Sequence, residues 1–156
     1  MKLLFLIAGI IWGQKEISWD DFKIVPANYA ASSATEINLD YKIKNGKYYF
    51  TVTAVFHPEA SYVSEETNHR RSESILLHER LHFDITEIHC RRLRQEINKF
   101  NGCAISSFNE VVKAYNAEID ALDVEQRRYD YETEHSQNEY MQRQWETEVK
   151  DRLKRK

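Results

Sequence analysis

Two hydrophobic periods divide the chain. Over residues 35–44, Ile37, Leu39, Tyr41 and Ile43 alternate with polar partners, which is the period of a half-buried strand. Asn45-Gly46 is a strong two-residue hairpin turn, and residues 47–57 return with Tyr, Phe, Thr and Val until Pro58 stops the strand. From Ser72 onward the period becomes helical. Ile75, Leu76, Leu81, Ile85, Ile88, Leu93 and Ile97 fall on one stripe, and no Gly or Pro interrupts 72–101, so a first helix is predicted over about 72–100. A second, over about 106–131, buries Phe108, Val111, Val112, Tyr115, Ile119, Leu122 and Tyr129. Its N-cap is Ser106 or Ser107, with Glu110 completing a capping box. A third, over about 137–153, repeats Met141, Trp145, Val149 and Leu153 at every fourth position. Upstream, Trp19 and Phe22 are expected in the core, 27–34 reads as a loop, and Tyr62-Val63 as a short strand. A hairpin followed by three helices predicts an α+β fold, with the helices on one face of a small antiparallel sheet.

Composition changes the picture in two places. The chain has 156 residues, 42 % hydrophobic and 30 % charged, which suits one soluble globular domain with a modest core. A net charge of −3 gives no basic footprint for nucleic acid. Residues 1–13 combine one cationic residue, Lys2, with a continuous apolar run and a small residue before Gln14, the pattern of a signal peptide. That run is too short to span a bilayer, so the expected mature protein, 14–156, is secreted or periplasmic with no stable membrane insertion. Export would place Cys90 and Cys103 in an oxidising compartment. A bridge between them and two free thiols both remain open, because spacing does not determine their geometry.

The candidate chemistry lies in Ser74-Ile-Leu-Leu-His-Glu-Arg-Leu-His-Phe-Asp-Ile-Thr86. His78-Glu79-Arg80-Leu81-His82 is an H-E-x-x-H pattern inside the first helix. Residues four apart share a helix face, so His78 and His82 can offer two imidazoles to one Zn²⁺, with Glu79 beside them as general base for a water. A catalytic zinc usually takes a third protein ligand. The metzincin position is Ile88, and Ile85 replaces the expected Gly, which excludes that subclass. His135 is the preferred third ligand, because an antiparallel second helix would return its end to the start of the first. Glu132, Glu134, Asp130 and Glu118 compete with it, whereas His57, His69 and His89 are weaker candidates.

Trp19-Asp-Asp-Phe22, the His78-Glu-Arg-Leu-His-Phe-Asp-Ile85 core, Tyr129-Asp-Tyr-Glu-Thr-Glu-His135 and Gln144-Trp145 together resemble the predicted secreted zinc-dependent proteases of bacteria, a family catalogued mainly as a domain of unknown function. The family usually reads His-Gly where this chain has His135-Ser136. The resemblance implies a zincin-like metallopeptidase acting on a peptide or protein substrate. On that reading the 47–56 strand is a possible edge for an extended peptide, and Tyr129 or Tyr131 a possible oxyanion donor. The alternative is a zinc-stabilised cell-envelope binding or structural module without turnover, in which Glu79 would have no task.

Overall fold

The computed structural model describes residues 9–104 and 107–155. The α+β class holds, with two small sheets and long helices. The hairpin forms as predicted: β4 (Thr35–Lys44) pairs antiparallel with β5 (Lys47–Phe56), from Thr35 opposite Phe56 to Lys44 opposite Lys47. Asn45 (φ 53°) and Gly46 (φ 72°) both adopt the left-handed region that a twist-matched two-residue turn requires. Part of the expected leader, residues 1–8, lies outside the described residues. Its later part forms β1 (Ile10–Ile11), which pairs with Phe56 and Val55 on the far side of β5. Trp12 Nε1 then donates to the Asp84 carboxylate at 2.7 Å, and the Arg91 guanidinium lies over the Trp12 ring.

The second sheet is β2 (Lys23–Val25), β6 (Tyr62–Ser64) and β3 (Ala31–Ser32), in the order β2-β6-β3. β2 runs parallel to β6 and β3 antiparallel to it. The strand expected at Tyr62-Val63 is present, whereas β3 falls in the stretch read as a loop. Strands this short have too few residues for alternation to register.

A short helix, α1 (Glu65–Arg70), is capped by the Ser64 hydroxyl. It leads into α2 (Glu73–Ile97), capped by Ser72. The predicted stripe of α2 is buried apart from the half-buried Ile75, and so are His78, Glu79, Thr86, Glu87, His89 and Cys90. The hairpin covers one side of α2; α3 (Phe108–Thr133) and α4 (Glu139–Lys154) cover the other. A helix enclosed on both sides must satisfy its inward polar groups internally. Glu87, for example, takes hydrogen bonds from both Arg91 and Arg94. Trp19, Phe22, Phe56 and Phe83 stack as a chain of tilted and edge-on rings between the N-terminal segment, β5 and α2. No described helix is long and apolar enough to cross a membrane.

Two local expectations need correction, and one open alternative is decided. Ser107 precedes α3 in helical geometry without a side-chain cap bond, so the Ser107–Glu110 capping box does not form; Ser106 lies outside the described residues. The hairpin alternation buries only its base: Ile37 is in the core, but Ile43 is 58 % exposed, because the strands run on past the helices. Cys90 and Cys103 are free thiols. Cys90 points into the core, whereas Cys103 is drawn to the edge of β5, its carbonyl accepting from Tyr48 N–H at 3.0 Å. Burial pushes the Cys90 thiol up to about 12.

Candidate metal centre

One helical turn separates His78 from His82 on α2, and their rings meet edge to face with centroids 4.9 Å apart. The pairs His78–Tyr129, His82–Gln126 and His89–Glu118 step in opposite directions along α2 and α3, so the helices are antiparallel. The C-terminal end of α3 therefore returns to the H-E-x-x-H turn, as expected. It carries Asp130, whose Oδ1 lies 3.1 Å from His78 Nε2 and 2.9 Å from His82 Nε2. His135 Nδ1 is 3.6 Å from the same oxygen. Ligand atoms of His78, Asp130 and His135 all lie within 4.8 Å of one another, and His82 joins the group through Asp130.

The outward ring nitrogens have their own partners. Gln126 Nε2 donates to the His82 carbonyl at 2.9 Å, which turns Gln126 Oε1 toward His82 Nδ1 as an acceptor. On the other imidazole, Gln142 Nε2 donates to the Tyr129 hydroxyl, which in turn donates to the His78 carbonyl, and Gln142 Oε1 lies 3.1 Å from His78 Nδ1. Both Nδ1 atoms must therefore carry hydrogen. Two neutral imidazoles so oriented aim their Nε2 lone pairs at a carboxylate oxygen, an arrangement of three acceptors that a shared cation would reconcile. Burial works against a charged His82, but the hydrogen bond to Asp130 and the nearby Glu79 overcome it and raise its pKa above the ordinary histidine value. Burial likewise works to raise Asp130, but its bonds to His78 and His82 hold it well below the usual carboxylate range.

Tyr129 is fully buried, stacked on His78 with ring centroids 4.5 Å apart and edge-on to Trp145. Burial pushes its phenol far up, and its hydroxyl is committed to His78 and Gln142, so it is not an oxyanion donor. Tyr131 points to solvent.

Glu79 is buried beside the pair, and its Oε2 accepts from Ser33 N–H at 2.7 Å. It lines a cleft of about 950 Å³ together with His78, His82, Asp130 and His135. The facing wall is the extended segment 29–36, which runs from the edge strand β3 into the edge strand β4. The 47–56 strand is not that edge: β5 is the middle strand of its sheet and lies outside the cleft wall.

His135 sits beyond the end of α3 in a run of three left-handed residues, Glu134 (φ 49°), His135 (φ 51°) and Ser136 (φ 76°). Its side chain is 76 % exposed, against 3 % for His78. Ser136 holds a conformation suited to Gly, the residue usual at this place in the family the sequence resembles. Apart from Asp130, the competing ligands lie elsewhere. Glu132 is bonded to Arg128 and Trp145, Glu118 to His89, and Glu134 is exposed. His57 pairs with Glu36, His69 lies exposed on α1, and His89 is buried between Glu118 and Glu125.

Sequence reasoning did not find Gln126, Gln142 or Ser33. Only Gln126 left a trace, standing four residues before Asp130 and so on the same face of α3. Comparison with curated proteins and with solved structures returns no match. Residues 23–136, which run from β2 through the H-E-x-x-H turn to the end of the cleft, match a bacterial protein family of unknown function, DUF922, and the chain belongs to that family.

Proposed function

We propose that the protein is an exported zinc-dependent metallopeptidase of zincin-like design. Its leader would direct it to the periplasm or beyond, and its substrate would be a peptide or protein. The observation that carries this reading is the pair of Nε2 atoms converging on one carboxylate oxygen, with both Nδ1–H groups already spent on glutamine oxygens. The donor set of imidazole nitrogens and carboxylate suits zinc. His78 and His82 would hold the ion, with the third ligand from the end of α3, where His135 and Asp130 both stand near them. Bound there, the ion lowers the pKa of a water toward ~7 and polarises a carbonyl.

The chain's own groups do the rest. Glu79, aimed by the Ser33 N–H, takes a proton from the attacking water and delivers it to the leaving amine as the C–N bond breaks. Segment 29–36, which lines the cleft opposite the histidines, would be the wall along which an extended chain lies.

A second reading, a zinc-stabilised envelope module without turnover, draws on the number of candidate ligands. His78, His82, Asp130 and His135 together would close the ion as structural sites do. Glu79→Gln separates the two. Protein purified without added metal is expected to carry about one zinc per chain, and Glu79→Gln to keep it while losing ~10²–10⁴-fold in peptide cleavage. New termini in a mixed peptide library, read by mass spectrometry, are the measure. A fully zinc-loaded wild type that cleaves nothing, or a variant that cleaves as fast, rejects the peptidase.

A further inference from the structure

Asp130 Oδ1 lies 2.9 Å from His82 Nε2, 3.1 Å from His78 Nε2 and 3.6 Å from His135 Nδ1. Two atoms each about 2.0–2.1 Å from a tetrahedral zinc stand about 3.3–3.4 Å apart. The carboxylate oxygen is therefore about one tetrahedron edge from each imidazole, where a fellow ligand belongs. A residue that merely orients a metal-binding histidine bonds to the ring nitrogen facing away from the ion. Gln126 and Gln142 occupy that nitrogen on His82 and His78. Asp130 faces the opposite nitrogen on both rings, so it stands on the metal side of the imidazoles.

We propose that Asp130 binds the ion directly, as the third ligand beside His78 and His82, an assignment that rests on the metal-centre reading above. The two candidates at the end of α3 differ in how they are held. Asp130 is within the helix, and its carboxylate is fixed between two buried rings. His135 lies past the helix end on a left-handed turn, its side chain mostly in solvent. An ordered ligand loses less freedom on coordination than an exposed one. His135 is then the outer arm of the site, free to leave the ion's fourth side to water and substrate.

Four proteins test this: wild type, Asp130→Asn, Asp130→Cys and His135→Ala. Zinc affinity is read by competition with a chromophoric chelator, and Co²⁺ replaces zinc for spectroscopy. Asp130→Asn is nearly isosteric and is expected to weaken zinc by more than about 100-fold, beyond the 10–100-fold typical of a lost orienting partner. His135→Ala is expected to stay within about 10-fold of wild type. Asp130→Cys with Co²⁺ is expected to show a thiolate-to-cobalt charge-transfer band that wild type lacks, placing the side chain at 130 on the ion whatever the variant's stability.

A loss of about 100-fold or less in Asp130→Asn, a cobalt-loaded Asp130→Cys without the band, or a His135→Ala that loses zinc as fully as Asp130→Asn overturns the assignment. Each of these leaves the metal centre standing. A wild type that binds neither ion overturns the metal centre itself, and the assignment with it.

Discussion

At His82 the two ring nitrogens have different tasks, and one glutamine sets the difference. Gln126 spends its amide hydrogens on the His82 carbonyl and the Thr86 hydroxyl, so only its oxygen can face the ring. The Nδ1 proton is thereby fixed and Nε2 is left to face Asp130. Gln126→Leu removes the acceptor at similar volume. It is expected to lower zinc affinity by about 10–100-fold with little change in the metal-free fold, by chelator competition and circular dichroism. Unchanged affinity would mean the ring needs no such partner. Thr86 adds a second anchor, bonding back to the His82 carbonyl and across to Thr35 on β4.

Between elements, the corner from α3 to α4 carries the most local strain. Glu134, His135 and Ser136 are all left-handed, a region that costs a residue with a Cβ roughly 1–2 kcal/mol. The corner is held by His135 N–H donating to the Asp130 carbonyl and Asn138 N–H to the Thr133 carbonyl, which close the end of α3. Ser136→Gly should relieve one left-handed residue and raise the unfolding free energy by about 1 kcal/mol in urea titration. A loss of stability would show that Ser136 makes a compensating contact. Beyond the corner, Trp145 on α4 supports Tyr129, which in turn stacks on His78. Trp145→Ala leaves a cavity behind that stack and is expected to cost about 3–5 kcal/mol, with weakened zinc binding as a second readout.

Across the whole molecule, α2, α3 and α4 are tied together at Glu125. It accepts from His89 on α2 at 2.8 Å and pairs with Arg152 on α4. Burial acts to raise its pKa, but His89 and Arg152 outweigh burial and bring it down to about 2. A carboxylate depressed in the folded state contributes stability that is complete above its unfolded pKa of ~4.3 and is lost as pH falls toward the folded value. Wild type should therefore lose melting temperature between about pH 4.5 and 2. Glu125→Gln should melt lower at pH 7 but fall less steeply over that window. Parallel curves would mean that the tie contributes nothing to acid stability.

Much of this architecture was legible in the order of residues. Alternation from Thr35 placed the hairpin and Asn45-Gly46 its turn, and the helical stripes placed α2, α3 and α4 to within a few residues. His78, Glu79 and His82 were legible too, because a helix places i and i+4 side by side whatever surrounds it. Such signals are local, fixed by backbone geometry within about a dozen residues. Packing decided the rest. The bonds of His82 to Gln126 and of His78 to Gln142 span 44 and 64 positions, and both depend on how helices cross, which no spacing records. The same holds for Ser33, carried to Glu79 by an edge strand too short to show a period, and for Cys103, which the β5 edge holds apart from the buried Cys90. Among the candidates at the end of α3, charge and spacing left several open. The antiparallel docking of α3 on α2 chose Asp130 to face the two imidazoles, because side-chain direction at that depth is set by the helix pair and not by the chain alone.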